Sequence, residues 1–322
     1  MSLLVREPGL LSLLVDRGRP RSRALGVPVG GAADRAALAL GNALVGNPPD
    51  ALAVEITLAG PVLEARHPAA CVVFGAPFLC TVNGRPVPPG TTFTLEAGGV
   101  LRVGGTPAGA RGYLCVAGGF DATEILGSRS ALERLAAGAE LACRASRTEP
   151  RSLPFVFSAN PDREGGGGSE SHPLPHGRGS PEVLRALDGP QRDWFTDDSF
   201  FTQVYEVTPA SNRMGLRLKG EPLARRPGEL VSEAVAPGAV QVTNDGLPVV
   251  LGVDGQTVGG YPKVAHVVRA DLDRLAQLRP GDRVCFARVS PDEAEAAARE
   301  RAAFLRTWLT RLRIADRQPT FV

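Results

Sequence analysis

Short apolar runs, many alternating with polar positions and separated by turn residues, fill most of the chain and predict strands. In the first half these runs are LLSLLVDRG, closing in a turn at Asp16–Gly18, then ALAVEITLAG, ACVVFGAPFLCTVNG, TTFTLEAGGVLRVG and ARGYLCVAGG. Asn83–Gly84 is a two-residue hairpin signal. One stretch changes period. Asp34 stands where a helix N-cap would, RAALALGNALVG follows at helical spacing, and Gly46, Asn47 and Pro48–Pro49 stop it. In the second half EVLRAL, TQVYEVTP, a hairpin through Asn244–Asp245–Gly246, and KVAHVV read as strands. Asp197–Phe201 and DLDRLAQL read as short helices. Residues 291–313 form a long amphipathic helix, with Asp292 and Glu293 near its start and Arg311 and Arg313 near its end, as the helix dipole favours.

Residues 151–181 break the pattern. GGGGSESHPLPHGRGSP is low in complexity and too poor in apolar residues to fold. The expected organisation is therefore a β domain over 1–150, a linker over 151–181, a second β domain over 182–290, and a C-terminal helix and tail over 291–322. His172 and His176 lie in the linker without carboxylate or thiol partners at ligand spacing, so no metal site is expected.

Composition agrees with a mainly-β protein: 38 glycines, 28 prolines and 5% aromatic residues among 322. A net charge of +2 leaves no electrostatic footprint for nucleic acid. Among 36 basic residues only Lys219 and Lys263 are lysine. The five cysteines sit in apolar runs with no zinc or redox spacing and are expected to be reduced and buried. Neither a membrane-spanning run nor a signal peptide is read, so a cytoplasmic location is expected.

No phosphate-binding glycine loop, dinucleotide fingerprint or nucleophile elbow is present. Three polar, glycine-containing segments stand out. TPASNRMGLRLKG holds Asn212, Arg213, Met214, Gly215 and Arg217, whose guanidinium forks suit a carboxylate or phosphate. By spacing alone, a turn with solvated arginines is the favoured reading. ELVSEAVAPGAVQV holds Ser232, Glu233 and Gln241, whose amide suits a ligand amide. VDGQTVGGYPKV holds Asp254, Gln256, the Gly259–Gly260 pair that admits close backbone approach, and Tyr261.

These segments, with VVFGAPF (72–78), RGYLCVAGGFD (111–121) and LGSRS (126–130), resemble the carboxyltransferase subdomain A/B family in content and order. The family includes the stand-alone C subunit of 5-oxoprolinase, a kinase-inhibitor-binding protein and a segment of urea carboxylase. The resemblance implies two tandem cyclophilin-like β-barrels. It also implies two partner proteins, the B and A subunits of 5-oxoprolinase, and ATP-dependent ring opening of 5-oxoproline. Carboxyl transfer to urea or a related amide, and non-catalytic binding of a kinase inhibitor, remain alternatives. On this reading Arg213, Gln241 and Tyr261 are catalytic. Asn212, Met214, Gly215, Arg217, Ser232, Glu233, Asp254, Gln256, Gly259 and Gly260 bind substrate. There is no Met–Lys–Met motif, so the chain carries no biotin of its own.

Overall fold

The computed structural model describes residues 2–131, 133–153 and 180–317; most of the expected linker, with His172 and His176, lies outside them. The N-terminal half holds β1 (Ser2–Glu7), β2 (Leu11–Val15), α1 (Arg35–Leu44), β3 (Ala53–Thr57), β4 (Val62–Ala65) and β5 (Ala69–Gly75). It continues through β6 (Cys80–Val82), β7 (Arg85–Val87), β8 (Phe93–Leu95), β9 (Val100–Val103), β10 (Arg111–Val116) and β11 (Glu140–Ala142). These strands form a six-stranded sheet, β11-β1-β4-β9-β6-β7, and a five-stranded sheet, β2-β3-β10-β5-β8.

The period-2 alternation explains how the two sheets share a core. Leu3, Val5, Leu63 and Leu101 from the first sheet meet Val54, Ile56, Cys71, Val73, Leu114 and Val116 from the second. The intervening residues Val72, Phe74, Tyr113 and Cys115 face the other way, where α1 covers them with Ala37, Leu38, Leu40 and Leu44. Burial on both faces is why ACVVF reads as an unbroken apolar run. A Cβ on Gly41 would lie 2.9 Å from the Cys115 sulfur, so glycine sets how closely α1 approaches the sheet. As expected, Asp34 caps α1, its Oδ1 accepting from the Ala37 N–H at 2.9 Å. The Asn83–Gly84 turn joins β6 to β7 with φ of +50° and +79°.

The second half holds β12 (Glu182–Asp188), α2 (Ser199–Thr202), β13 (Tyr205–Val207), β14 (Gly215–Lys219), β15 (Glu233–Ala234) and β16 (Ala239–Val242). After these come β17 (Pro248–Leu251), β18 (Val258–Gly259), β19 (Lys263–Val267), α3 (Leu272–Gln277), β20 (Arg283–Arg288) and α4 (Pro291–Arg317). Seven strands close a barrel in the order β12-β19-β16-β17-β14-β13-β20, sealed by the parallel β12–β20 pair. Leu184, Val207, Leu216, Val240, Val250, Val264 and Phe286 fill it. The two-residue strands β15 and β18 pair with each other as a separate flap.

Helix α4 begins at the expected Pro291 and runs to Arg317, beyond the expected 313. Ser290 and Glu293 exchange bonds as a capping box. Ala297 packs on Val268 and Ala270 beside the barrel. Further along, Leu305, Trp308, Leu309 and Leu312 join the apolar cluster of α1. The helix thus straps the barrel to the N-terminal sheets. All five thiols are free, four of them buried. No described helix is long and apolar enough to cross a membrane.

Candidate functional site

Residues of the three polar segments fall into two groups. The first lies on the seam between the halves. Arg213, on the loop before β14, donates from Nε to Asp254 Oδ2 at 2.7 Å and from Nη2 to Asp254 Oδ1 at 3.0 Å. Its Nη2 also reaches the Gly31 carbonyl at 2.7 Å, and its Nη1 pairs with the Glu55 carboxylate on β3. Glu55 is 1% exposed and accepts in addition from the Ala33 N–H and the Tyr113 hydroxyl. Burial opposes the Glu55 charge, but the Arg213 and Arg111 guanidiniums outweigh it and hold the carboxyl below its usual range. Beside them Gln277 accepts from the Ala110 and Arg111 N–H groups and donates to Asp34 and the Arg111 carbonyl.

Arg213, expected to face an anionic ligand, is therefore a clasp between the two halves. Its fork is spent on two carboxylates and a carbonyl, and Asp254 is spent on Arg213. Asn212 shapes the loop that presents Arg213, its Oδ1 accepting from the Met214 N–H at 2.8 Å. Met214 is 53% exposed, Gly215 opens β14, and Arg217 points to solvent from the same strand. None of these bonds to the second group among the described residues.

The second group lies on the outer wall of the barrel, under the flap. Gln241 on β16 and Lys263 on β19 are register partners, so their side chains are neighbours. Val240, Val242 and Val264 turn inward to the core, which sends Gln241 and Lys263 outward. Both are nonetheless buried, at 2% and 4% exposure, because the β15–β18 flap covers them. Glu233 on β15 pairs with the Lys263 ammonium and accepts from Gln191 Nε2 at 2.8 Å. Those two donors hold the Glu233 carboxyl below its usual range. Gln191 Oε1 in turn accepts from the Lys263 backbone N–H at 3.1 Å.

Gln256 donates to Gln241 Oε1 at 2.9 Å. Gln241 Nε2 is left buried with no hydrogen-bond partner among the described residues, an arrangement that costs about 1–3 kcal/mol. Lys263 Nζ has only the Glu233 carboxylate among the described residues. A Cβ on Gly259 would stand 2.5 Å from Gln241 Nε2, and one on Gly260 would stand 3.3 Å from Ser232 Oγ. Tyr261 follows at the rim, 41% exposed, with Val231 and Val258 exposed on the flap.

The structure thus gathers Ser232, Glu233, Gln241, Gln256, Gly259 and Gly260 in one place with Tyr261 at its edge. Two members, Lys263 and Gln191, were missed. Lys263 had a signal: a lysine placed within a strand of a chain that otherwise uses arginine. For Gln191, just after the Gly189–Pro190 turn, nothing local distinguishes it.

Residues 25–288 match the family described as carboxyltransferase domain, subdomain A and B, and the chain belongs to that family. It is 33% identical to the C subunit of the Escherichia coli 5-oxoprolinase over 314 residues, 96% of this chain and 98% of that one. The corresponding C subunit of Haemophilus influenzae is 33% identical over 90% of this chain and 92% of its own length. The crystal structure of the Kluyveromyces lactis urea amidolyase superimposes with a TM-score of 0.83 and 26% identity, covering 95% of this chain but 20% of that one. Helix α4 lies beyond residues 25–288, the part matched to the family.

Proposed function

We propose that the chain is the C subunit of a 5-oxoprolinase, working with the A and B subunits to open 5-oxo-L-proline to L-glutamate at the expense of ATP. The observation that carries this is the end-to-end match to the Escherichia coli C subunit, which spans 98% of that protein. In the urea amidolyases the corresponding region is a small part of a much longer chain, 16% in Saccharomyces cerevisiae.

Ring opening adds water across the amide C–N bond, and the nitrogen takes a proton. Such a substrate needs donors for its oxygens, held rigidly and shielded from water. The flap group meets that need: Lys263 and Gln241 offer donors, while Gln256 and Gln191 orient them. Gly259 and Gly260 leave room for a close approach, and Tyr261 closes the rim. Arg213 acts indirectly, by fixing the loop that runs from Asp254 to Gln256.

The N-termini of the two longest described helices, α1 and α4, do not suit a phosphate. The N-terminus of α1 is capped by Asp34 against Gln277, and that of α4 by Ser290 and Glu293. Both present carboxylates where a phosphate would need free N–H groups.

The test is ATP-dependent glutamate release from 5-oxoproline by the reconstituted three-subunit enzyme. Turnover that needs this chain supports the reading, and turnover by the A and B subunits without it refutes it. The urea amidolyase relatives favour a second reading, carboxyl transfer to urea from a biotin-bearing partner. Consumption of urea, with 5-oxoproline inert, would replace the first reading with that one.

A further inference from the structure

We infer that the group under the flap is a pocket for a small carboxylate-bearing amide, closed in this structure by the chain's own Glu233 in place of the ligand's carboxylate. The inference rests on the proposed activity for its choice of ligand, and on the geometry for its place.

A lysine and a glutamine on adjacent strands have been buried against the barrel wall, and neither is satisfied there. Lys263 is 4% exposed, and its ammonium meets one group among the described residues, Glu233. Gln241 is 2% exposed, and its Nε2 meets none among them. Buried donors without acceptors are costly, and a water or a ligand commonly satisfies them; here two stand on adjacent strands under one flap. In this arrangement Gln256 donates to Gln241 Oε1, so the atom of Gln241 left without a partner is a donor. A donor beside an ammonium suits a ligand with two acceptor oxygens.

Glu233 is poorly placed for a purely structural role. It stands on a strand of two residues, and its side chain is 42% exposed while its partner Lys263 is 6% exposed. The flap that carries it is seated just after Glu233, where Val235 is buried against Ala239 and Leu251 and donates to the Thr257 carbonyl at 2.9 Å, but it exposes Val231 at 88% and Val258 at 54%. The exposed arm ahead of Glu233 opens at less cost than the seated part. When it lifts, Lys263 and Gln191 Nε2 lose their carboxylate together. A ligand carboxylate accepts both, and the carbonyl of an adjoining planar amide accepts from Gln241 Nε2. A side chain at Gly259 would fill the space beside that amide nitrogen, which is why the flap residue facing it is glycine. 5-Oxoproline carries both groups on one ring.

Calorimetric titration of the purified full chain with 5-oxoproline, and with 2-pyrrolidinone as the lactam lacking the carboxylate, tests this. Wild type should bind 5-oxoproline weakly, because Glu233 competes. Glu233→Gln should bind it at least tenfold more tightly, with no comparable gain for 2-pyrrolidinone. Adding Lys263→Met to Glu233→Gln leaves no unpaired buried charge, so the fold survives, and it should abolish the gain. Gln241→Leu should weaken both ligands.

If Glu233 is only a staple for the flap, Glu233→Gln gains no affinity, and that result overturns the inference. Equal binding by the Lys263→Met double variant overturns it too. The two proposals fail separately. A complex that opens 5-oxoproline with a KM indifferent to Glu233→Gln and Lys263→Met removes the pocket and keeps the activity. A complex inert toward 5-oxoproline, in which this chain still binds it through Lys263, keeps the pocket and removes the activity.

Discussion

Arg213 and Glu55, 158 residues apart in sequence, pair across the seam between the barrel and the N-terminal sheets, and both are nearly sealed from solvent. The pair belongs to a set in which Asp254, Gly31, Tyr113 and Ala33 occupy their other bonding positions. Because Asp254 starts the loop that ends at Gln256, the clasp sets the register of the flap pocket.

Breaking one side of the pair leaves a buried charge without its partner. Arg213→Met should lower the unfolding free energy by about 3–5 kcal/mol. Arg213→Met with Glu55→Leu should lose less than the sum of the two single changes, because the Arg213–Glu55 interaction is lost only once, although Asp254 and Arg111 each still lose a partner. Urea unfolding of the four proteins checks both expectations.

Gly259→Ala should act on activity and leave stability almost untouched. Its Cβ would meet Gln241 Nε2 at 2.5 Å, pushing the flap off its seat. We expect kcat/KM of the reconstituted complex to fall at least tenfold, with a stability change of about 1 kcal/mol or less. Steady-state kinetics and thermal melts report the two effects separately.

Stability should fall between pH 5 and pH 8 through Asp34. Burial first, and then the nearby Asp273 charge, push its carboxyl from 3.8 up to about 7. The folded state therefore binds more protons than the unfolded state between those values, and the unfolding free energy drops as pH rises through the window. Glu55 and Asp271 shift the opposite way, but their contribution is lost only in more acidic solution. Asp34→Asn should flatten the slope from pH 5 to pH 8 whatever offset it adds. Chemical denaturation at several pH values gives the slope.

Trp308 on α4 is half-buried against the α1 cluster. Trp308→Ala should cost about 1–3 kcal/mol, less than a fully buried tryptophan. It should also speed limited proteolysis of α4, because the strap loses one of its contacts with the α1 cluster.

Thiol reactivity follows burial. Burial holds the Cys71 and Cys115 thiols far above their usual range and pushes Cys80 up to about 12. Titration with a thiol reagent should count at most one group in the native protein, the half-buried Cys285, and five in denaturant.

Much of the architecture was already present in the order of residues. The ACVVF run, the Asp34 cap, the Asn83–Gly84 turn and the Pro291 helix start are local features, and local propensity decides them. The same holds for the mixture of glycine and polar residues in the flap loops, which marked Ser232, Glu233, Gln241, Gln256, Gly259 and Gly260 together.

Tertiary structure alone decided which polar residues face a ligand and which face each other. Arg213 and Lys263 are both cations beside glycine-bearing loops; the rarity of lysine singles out Lys263, but nothing near either one says whether it faces a ligand. Their fates depend on partners far along the chain. Glu55 comes from a different sheet and turns Arg213 into a clasp. The register of β16 against β19, under a flap of two-residue strands, leaves Lys263 and Gln241 short of acceptors. Elements follow from neighbours in sequence; the satisfaction of buried charge and hydrogen bonds follows from neighbours in space.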